Sequence, residues 1–276
     1  MQDLRLAELD AITTRVLDAL VNEEHVDAVD AGSLTFLLRQ YLSTDRQDLR
    51  DALGTALASA LEHAASEPSA AGRAAWVMLF AEVAAIAEDD RIVAAVGELV
   101  TSLRAEWPAS RGVDEGSATV EACLVASRLL DPQEVVPPAI DQLEHVVGGA
   151  YQPGAGVRGG LANQVRAASA LLTAFEITGR LPYSMLAEEL MQTARRVDPD
   201  RASPTAFLVH CDAARVFCRL AALHDDADYR KAAVILSDAD YRGDAARILA
   251  AQSTRLVDAP AAHAAAYGLA LLDLLK

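Results

Sequence analysis

Two kinds of helical stripe alternate along this chain, and that alternation limits its fold more than any other feature. Between residues 46 and 64, Leu49, Leu53, Leu57 and Leu61 recur every fourth position behind an acidic start at Asp45, Asp48 and Asp51, with Arg50 among them. Residues 91–105 repeat the pattern through Ile92, Val96, Leu99, Val100 and Leu103. Such segments are amphipathic helices with one wet face. Residues 116–130, 162–178, 204–223 and 260–275 are instead apolar on nearly all faces. A helix of that kind has to be covered on every side. Wet-faced helices are expected near 3–21, 46–64, 91–105, 136–147, 182–196 and within 227–252. Enclosed ones are expected near 31–43, 71–87, 116–130, 162–178, 204–223 and 260–275.

The enclosed segments begin about 41 to 45 residues apart, apart from a last interval of about 57, which marks an insertion. A period in this range belongs to helix-pair repeats and is too long for tetratricopeptide units. Six enclosed helices alternating with six half-wet ones predict an all-α (α/α)6 toroid, with inner helices ringed by outer ones, as one domain over 1–276. An open HEAT-like helical repeat is the alternative. Strand signals are almost absent. Asp30 or Ala31, Asp114 and Ser203-Pro204 read as helix starts, Gly179 as a helix end, and Leu181-Pro182 as the next start. Pro132, Pro137 and Pro138 read as brackets around a short linker.

Hydrophobic residues make up 52% of the chain but aromatic ones only 5%. The core therefore rests on Leu, Val and Ala, and alanine lets helices approach closely. The net charge is −16, which argues against nucleic acid or an anionic membrane surface as a partner, since both require a positive footprint. Cys123, Cys211 and Cys218 form no disulfide framework; the last two lie about 10 Å apart along one helix. All three read as reduced core thiols. No apolar leader or membrane-spanning stretch is evident, so a cytoplasmic location is expected. The sequence holds no His-x-x-x-His, Cys-x-x-Cys, calcium loop, Walker loop or Gly-x-Ser-x-Gly elbow, so neither metal nor cofactor is expected.

Two stretches carry a family resemblance. Residues 34–45 read Leu-Thr-Phe-Leu-Leu-Arg-Gln-Tyr-Leu-Ser-Thr-Asp. Residues 160–179 read Gly-Leu-Ala-Asn-Gln-Val-Arg-Ala-Ala-Ser-Ala-Leu-Leu-Thr-Ala-Phe-Glu-Ile-Thr-Gly. Both resemble inner-helix segments of the toroid domain in thioredoxin-domain-containing proteins related to spermatogenesis-associated protein 20. That toroid is similar to N-acylglucosamine 2-epimerases and six-hairpin glycosidases. The resemblance implies a site at the mouth of the ring. Asn163 stands where the family commonly has Asp. The thioredoxin-like domain, its Cys-x-x-Cys, and the aromatic-rich and His-Phe-Glu segments are not in the sequence, which fits a diverged relative.

Candidate site residues follow from placement at the starts of the enclosed helices, where free N–H groups and positive dipole ends converge. The glycine-rich stretch 148–160 contains Gly154-x-Gly156-x-x-Gly159, but without a βαβ unit it is no dinucleotide fingerprint. Its Tyr151 and Arg158, with Asn163 and Gln164 just beyond, are candidate ligand contacts; a plain connection is the competing reading. His210, next to Cys211, Asp212 and Arg215, is a candidate catalytic group or a core histidine. His263 and Tyr267 share a helix face and form a pocket pair. Glu121 interrupts an apolar helix, so it either lines a pocket or pairs with an arginine. Around the same helix lie Trp107, Arg111, Asp114 and Glu115; in a first turn Glu115 serves the helix dipole. Trp76, beside Arg73, either stacks on a sugar or fills the core. Two functions stay open. One is a non-catalytic toroid binding a sugar-like small molecule or a protein, with an alanine-rich surface suited to a homodimer. The other is a carbohydrate-active enzyme, an isomerase, epimerase or glycosidase, with Glu121, His210 or His263 as its candidate catalytic group and Arg158 as an anion clamp at the mouth of the ring.

Overall fold

The structure is a computed structural model that describes residues 2–21, 30–107, 112–196, 204–233 and 239–276. The chain is all-α with one minute hairpin. Its elements are α1 (Gln2–Val21), α2 (Ala31–Thr44), α3 (Gln47–Ser66), α4 (Ala70–Ala84), α5 (Asp90–Ala105), α6 (Val113–Ala126), α7 (Pro132–Ala150), β1 (Tyr151–Gln152), β2 (Gly156–Val157), α8 (Leu161–Thr178), α9 (Leu181–Ala194), α10 (Pro204–Asp225), α11 (Ala227–Ala232), α12 (Tyr241–Ser253) and α13 (Ala261–Leu275).

Short polar side chains start the helices. Asp30 accepts from the Ser33 amide at 2.9 Å, Ser69 from Gly72, Asp89 from Arg91, Asp131 from Gln133 and Asp240 from Gly243. Each satisfies an amide that the first turn leaves without a partner. Gly179 ends α8 at φ +68°, donating to the Phe175 carbonyl, a left-handed cap that costs glycine little.

The enclosed helices are α2, α4, α6, α8, α10 and α13, and they pack in a cycle. Each contacts the next, and α13 returns to α2. Around them α1 packs on α13 and α2, α3 on α2, α5 on α4 and α6, α7 on α6, α9 on α8, and α12 on α10 and α13. At the α13–α2 seam, Gly268 lies against the ring of the fully buried Phe36, and any Cβ on residue 268 would collide with it. Next to the seam, Tyr267 donates to Glu8 of α1 at 3.1 Å, and Arg15 of α1 donates to the carbonyls of Leu256 and Ala259. The two ends of the chain are thus stitched together.

Several local expectations need correction. Pro137 and Pro138 lie within α7, not in a linker, because that helix begins at Pro132. Proline's fixed φ suits a helical backbone near its start, and Pro137 is exposed, so water can satisfy the carbonyls freed by the missing N–H groups. Gly148 and Gly149 close the same helix, which shortens the glycine-rich connection to the β1–β2 hairpin and its flanks. Asp114 is the second residue of α6, with Gly112 at its N-cap. The last outer segment is split into α11 and α12, which accounts for the long final interval. Ser203 and Arg111 lie outside the described residues. Among the described helices, none is long and apolar enough to cross a membrane.

Candidate functional site

The hairpin residues hold the hairpin. β1 and β2 pair antiparallel, Tyr151 opposite Val157. Gln164, in the first turn of α8, grips the hairpin at Val157: its Oε1 accepts from the Val157 amide at 3.1 Å and its Nε2 donates to the Val157 carbonyl at 2.6 Å. Asn163 donates to the Arg158 carbonyl, Tyr151 donates to Glu189 of α9, and the exposed Arg158 reaches back to the Gly149 carbonyl. Gly156 and Gly159 have positive φ, and a Cβ on either would strike Gln164 or Asn163. The glycine pattern is thereby accounted for by turn geometry and close side-chain approach.

Trp76 is buried and stacked on Phe80, and Tyr267 is buried on Glu8 at the ring seam. His263 is half-buried, stacked 5.5 Å from Phe207. His263 and Tyr267 therefore have separate partners. His210 is buried and forms part of the wall of a cavity of about 350 Å³ between α8, α9, α10 and α12. A larger, open depression of about 520 Å³ lies between the outer helices α5 and α7 around Arg104, Trp107, Pro138 and Asp141. Among the described residues, no group of His, Cys, Asp and Glu is arranged to hold a metal ion.

Glu121 is the sequence candidate with the richest surroundings. Only 8% exposed, it accepts from Ser169 at 2.7 Å and Thr173 at 2.9 Å, both on α8, and pairs with Arg219 of α10 at 3.3 Å. Arg219 in turn pairs with Glu176 at 2.8 Å and donates to Ser169 and Thr173. One arginine and two hydroxyls thus compensate a carboxylate that burial alone would penalise.

Similar pairs run around the inner cycle. Arg39 of α2 bridges Glu82 of α4 and Asp273 of α13, and Arg215 of α10 also holds Asp273, at 3.0 Å. Burial pushes the Asp273 carboxyl up, but Arg215, Arg39 and Lys276 outweigh it and hold the group below the usual range. Arg166 of α8 pairs with Asp212 of α10 at 2.7 Å. Asp212 raises the Arg166 guanidinium against the effect of burial, with further help from Glu121 and Asp114. Arg166 is exposed, with 44% of its side chain reached by solvent.

Sequence reasoning brought Glu121 and Asp212 forward but missed Arg39, Arg166 and Arg219. Their signal was available. Each is an arginine on one of the enclosed helices, where a guanidinium is expected to find a carboxylate on a neighbouring helix.

The three thiols are buried and free. Burial pushes the Cys123 and Cys218 thiols up to about 12 and raises Cys211 as well. Because the thiolate is the reactive form, the native protein should show no titratable thiol toward Ellman's reagent at pH 8. In guanidinium all three should react. Rapid reaction of a native thiol would contradict the buried placement.

No family model matches the chain, and no curated protein matches it significantly.

Proposed function

We propose that this chain is a diverged (α/α)6 toroid that binds a small polyhydroxylated, sugar-like ligand at the accessible charged side chains around Arg166, without transforming it. The observation that carries the reading is the state of the inner-ring charges. Glu121, Asp212 and Asp273 are each engaged by an arginine, so none resembles the poised acid and base that glycoside chemistry requires. Paired charges and the Ser169 and Thr173 hydroxyls still offer spare donors and acceptors to a polyol. The neighbourhood of Arg166 holds more carboxylate than guanidinium, with Asp212, Glu121 and Asp114 all acting on it. A neutral or amino sugar is favoured there over a sugar acid.

A thermal-shift panel tests this. Glucose, glucosamine or N-acetylglucosamine should raise the unfolding midpoint in a concentration-dependent way, glucuronate should do so less, and Arg166→Ala should abolish the effect. No shift across the panel, or a shift untouched by Arg166→Ala, would remove the basis for a sugar site around Arg166.

A further inference from the structure

A second candidate site is lined by residues other than Arg166, Asp212 and Glu121. The cavity of about 350 Å³ between α8, α9, α10 and α12 falls within the ~300–1,000 Å³ range of small-molecule pockets. Its apolar lining is Leu161, Ala194, Ala213, Phe217 and Ile248. The Phe217 ring is held flat by stacking on Tyr241, 5.9 Å away. Its polar lining is Arg195, Arg247 and the buried His210.

The two arginines share one carboxylate. Arg195 Nε lies 2.6 Å from Asp244 Oδ2, and Arg247 Nη2 lies 2.8 Å from Asp244 Oδ1. Asp244 is almost completely buried, whereas the side chains of Arg195 and Arg247 remain 33% and 58% accessible. The trio carries one net positive charge on a protein whose overall charge is −16. Each guanidinium has five N–H donors and spends only part of them on Asp244. The remaining donors suit the planar, two-oxygen acceptor of a carboxylate.

We propose that this cavity binds a small organic carboxylate with an apolar body: the acid group on Arg195 and Arg247, the body against Phe217, Ala213 and Ile248. The site is independent of the sugar site around Arg166 and does not rest on it.

Phenylacetate is a suitable probe, with 2-phenylethanol as its neutral counterpart and inorganic phosphate as an anion without an apolar body. Calorimetric titration into the full chain should detect phenylacetate, with at least tenfold weaker binding of the other two. Arg247→Met removes one guanidinium from an exposed position and leaves the Arg195–Asp244 pair in place, so the fold is kept. It should weaken phenylacetate at least tenfold. Ala194→Leu, which adds bulk on the cavity wall, should weaken it without changing the charge. Arg166→Ala should leave it unaltered, separating this site from the sugar site. Absence of phenylacetate binding, equal binding of the alcohol, or indifference to Arg247→Met would each overturn the proposal.

Discussion

Gly268→Val should destabilise the protein by about 3 kcal/mol, because the new side chain has nowhere to go but into the Phe36 ring at the α13–α2 seam. In an exposed helix, replacing glycine would have the opposite sign. Gly54 of α3 is such a case: a Cβ there meets nothing within 4 Å. Gly54→Ala should therefore stabilise by about 0.8 kcal/mol through helix propensity alone. The contrast separates the demand for close packing at the seam from glycine's general cost in a helix. Phe36→Leu in the Gly268→Val background should recover part of the loss, giving a coupling energy of about 1 kcal/mol or more in a double-mutant cycle. Denaturant midpoints at constant slope would read all three values. Additive effects would mean that residues 36 and 268 do not meet at the α13–α2 seam.

Glu121→Ala is expected to cost about 2–3 kcal/mol, more than most single changes. The substitution removes the acceptor for Ser169 and Thr173 and one of the two carboxylates that hold Arg219. The remaining pair with Glu176 keeps the loss below that of a fully orphaned buried charge. Glu121→Gln preserves shape and one acceptor and should cost about half as much. Chemical denaturation measures both. A cost near zero for Glu121→Ala would mean that the carboxylate is not integral to the α6–α8–α10 contact, and the case for it as a ligand group would reopen.

The helices were legible because their signals are local. Leu49 and Leu53, or Val96 and Leu103, fall on one buried face, and short-range apolar spacing is what specifies an amphipathic helix. The enclosed helices were legible because a segment such as α4 carries only two charged side chains, Arg73 and Glu82. The prolines of α7 misled because proline weakens a helix without forbidding it in the early turns. The glycines at 154, 156 and 159 looked like a binding loop, although a residue at positive φ carries the same sequence signature whether it serves a turn or a ligand.

The site was harder to read, for a different reason. Glu121 stood out as a lone carboxylate, but its partners lie 48, 52 and 98 residues away in sequence. Arg166 and Asp212, or Arg39 and Asp273, meet only because the inner helices are neighbours in space. Periodicity states which face of a helix is apolar. It does not state which arginine on one helix finds which carboxylate on the next. The same holds for the cavity beside His210: Arg195, Asp244 and Arg247 come from two outer helices that no sequence motif connects.

The most direct measurement is saturation-transfer difference NMR of glucosamine with the purified protein, followed in the same tube for a day. The account predicts transfer to the sugar protons, loss of that transfer in Arg166→Ala, and an unchanged ligand spectrum throughout. New sugar resonances growing with time would show that the protein carries out chemistry on the sugar, and no transfer at millimolar ligand would show that it holds no such sugar; either would contradict the account.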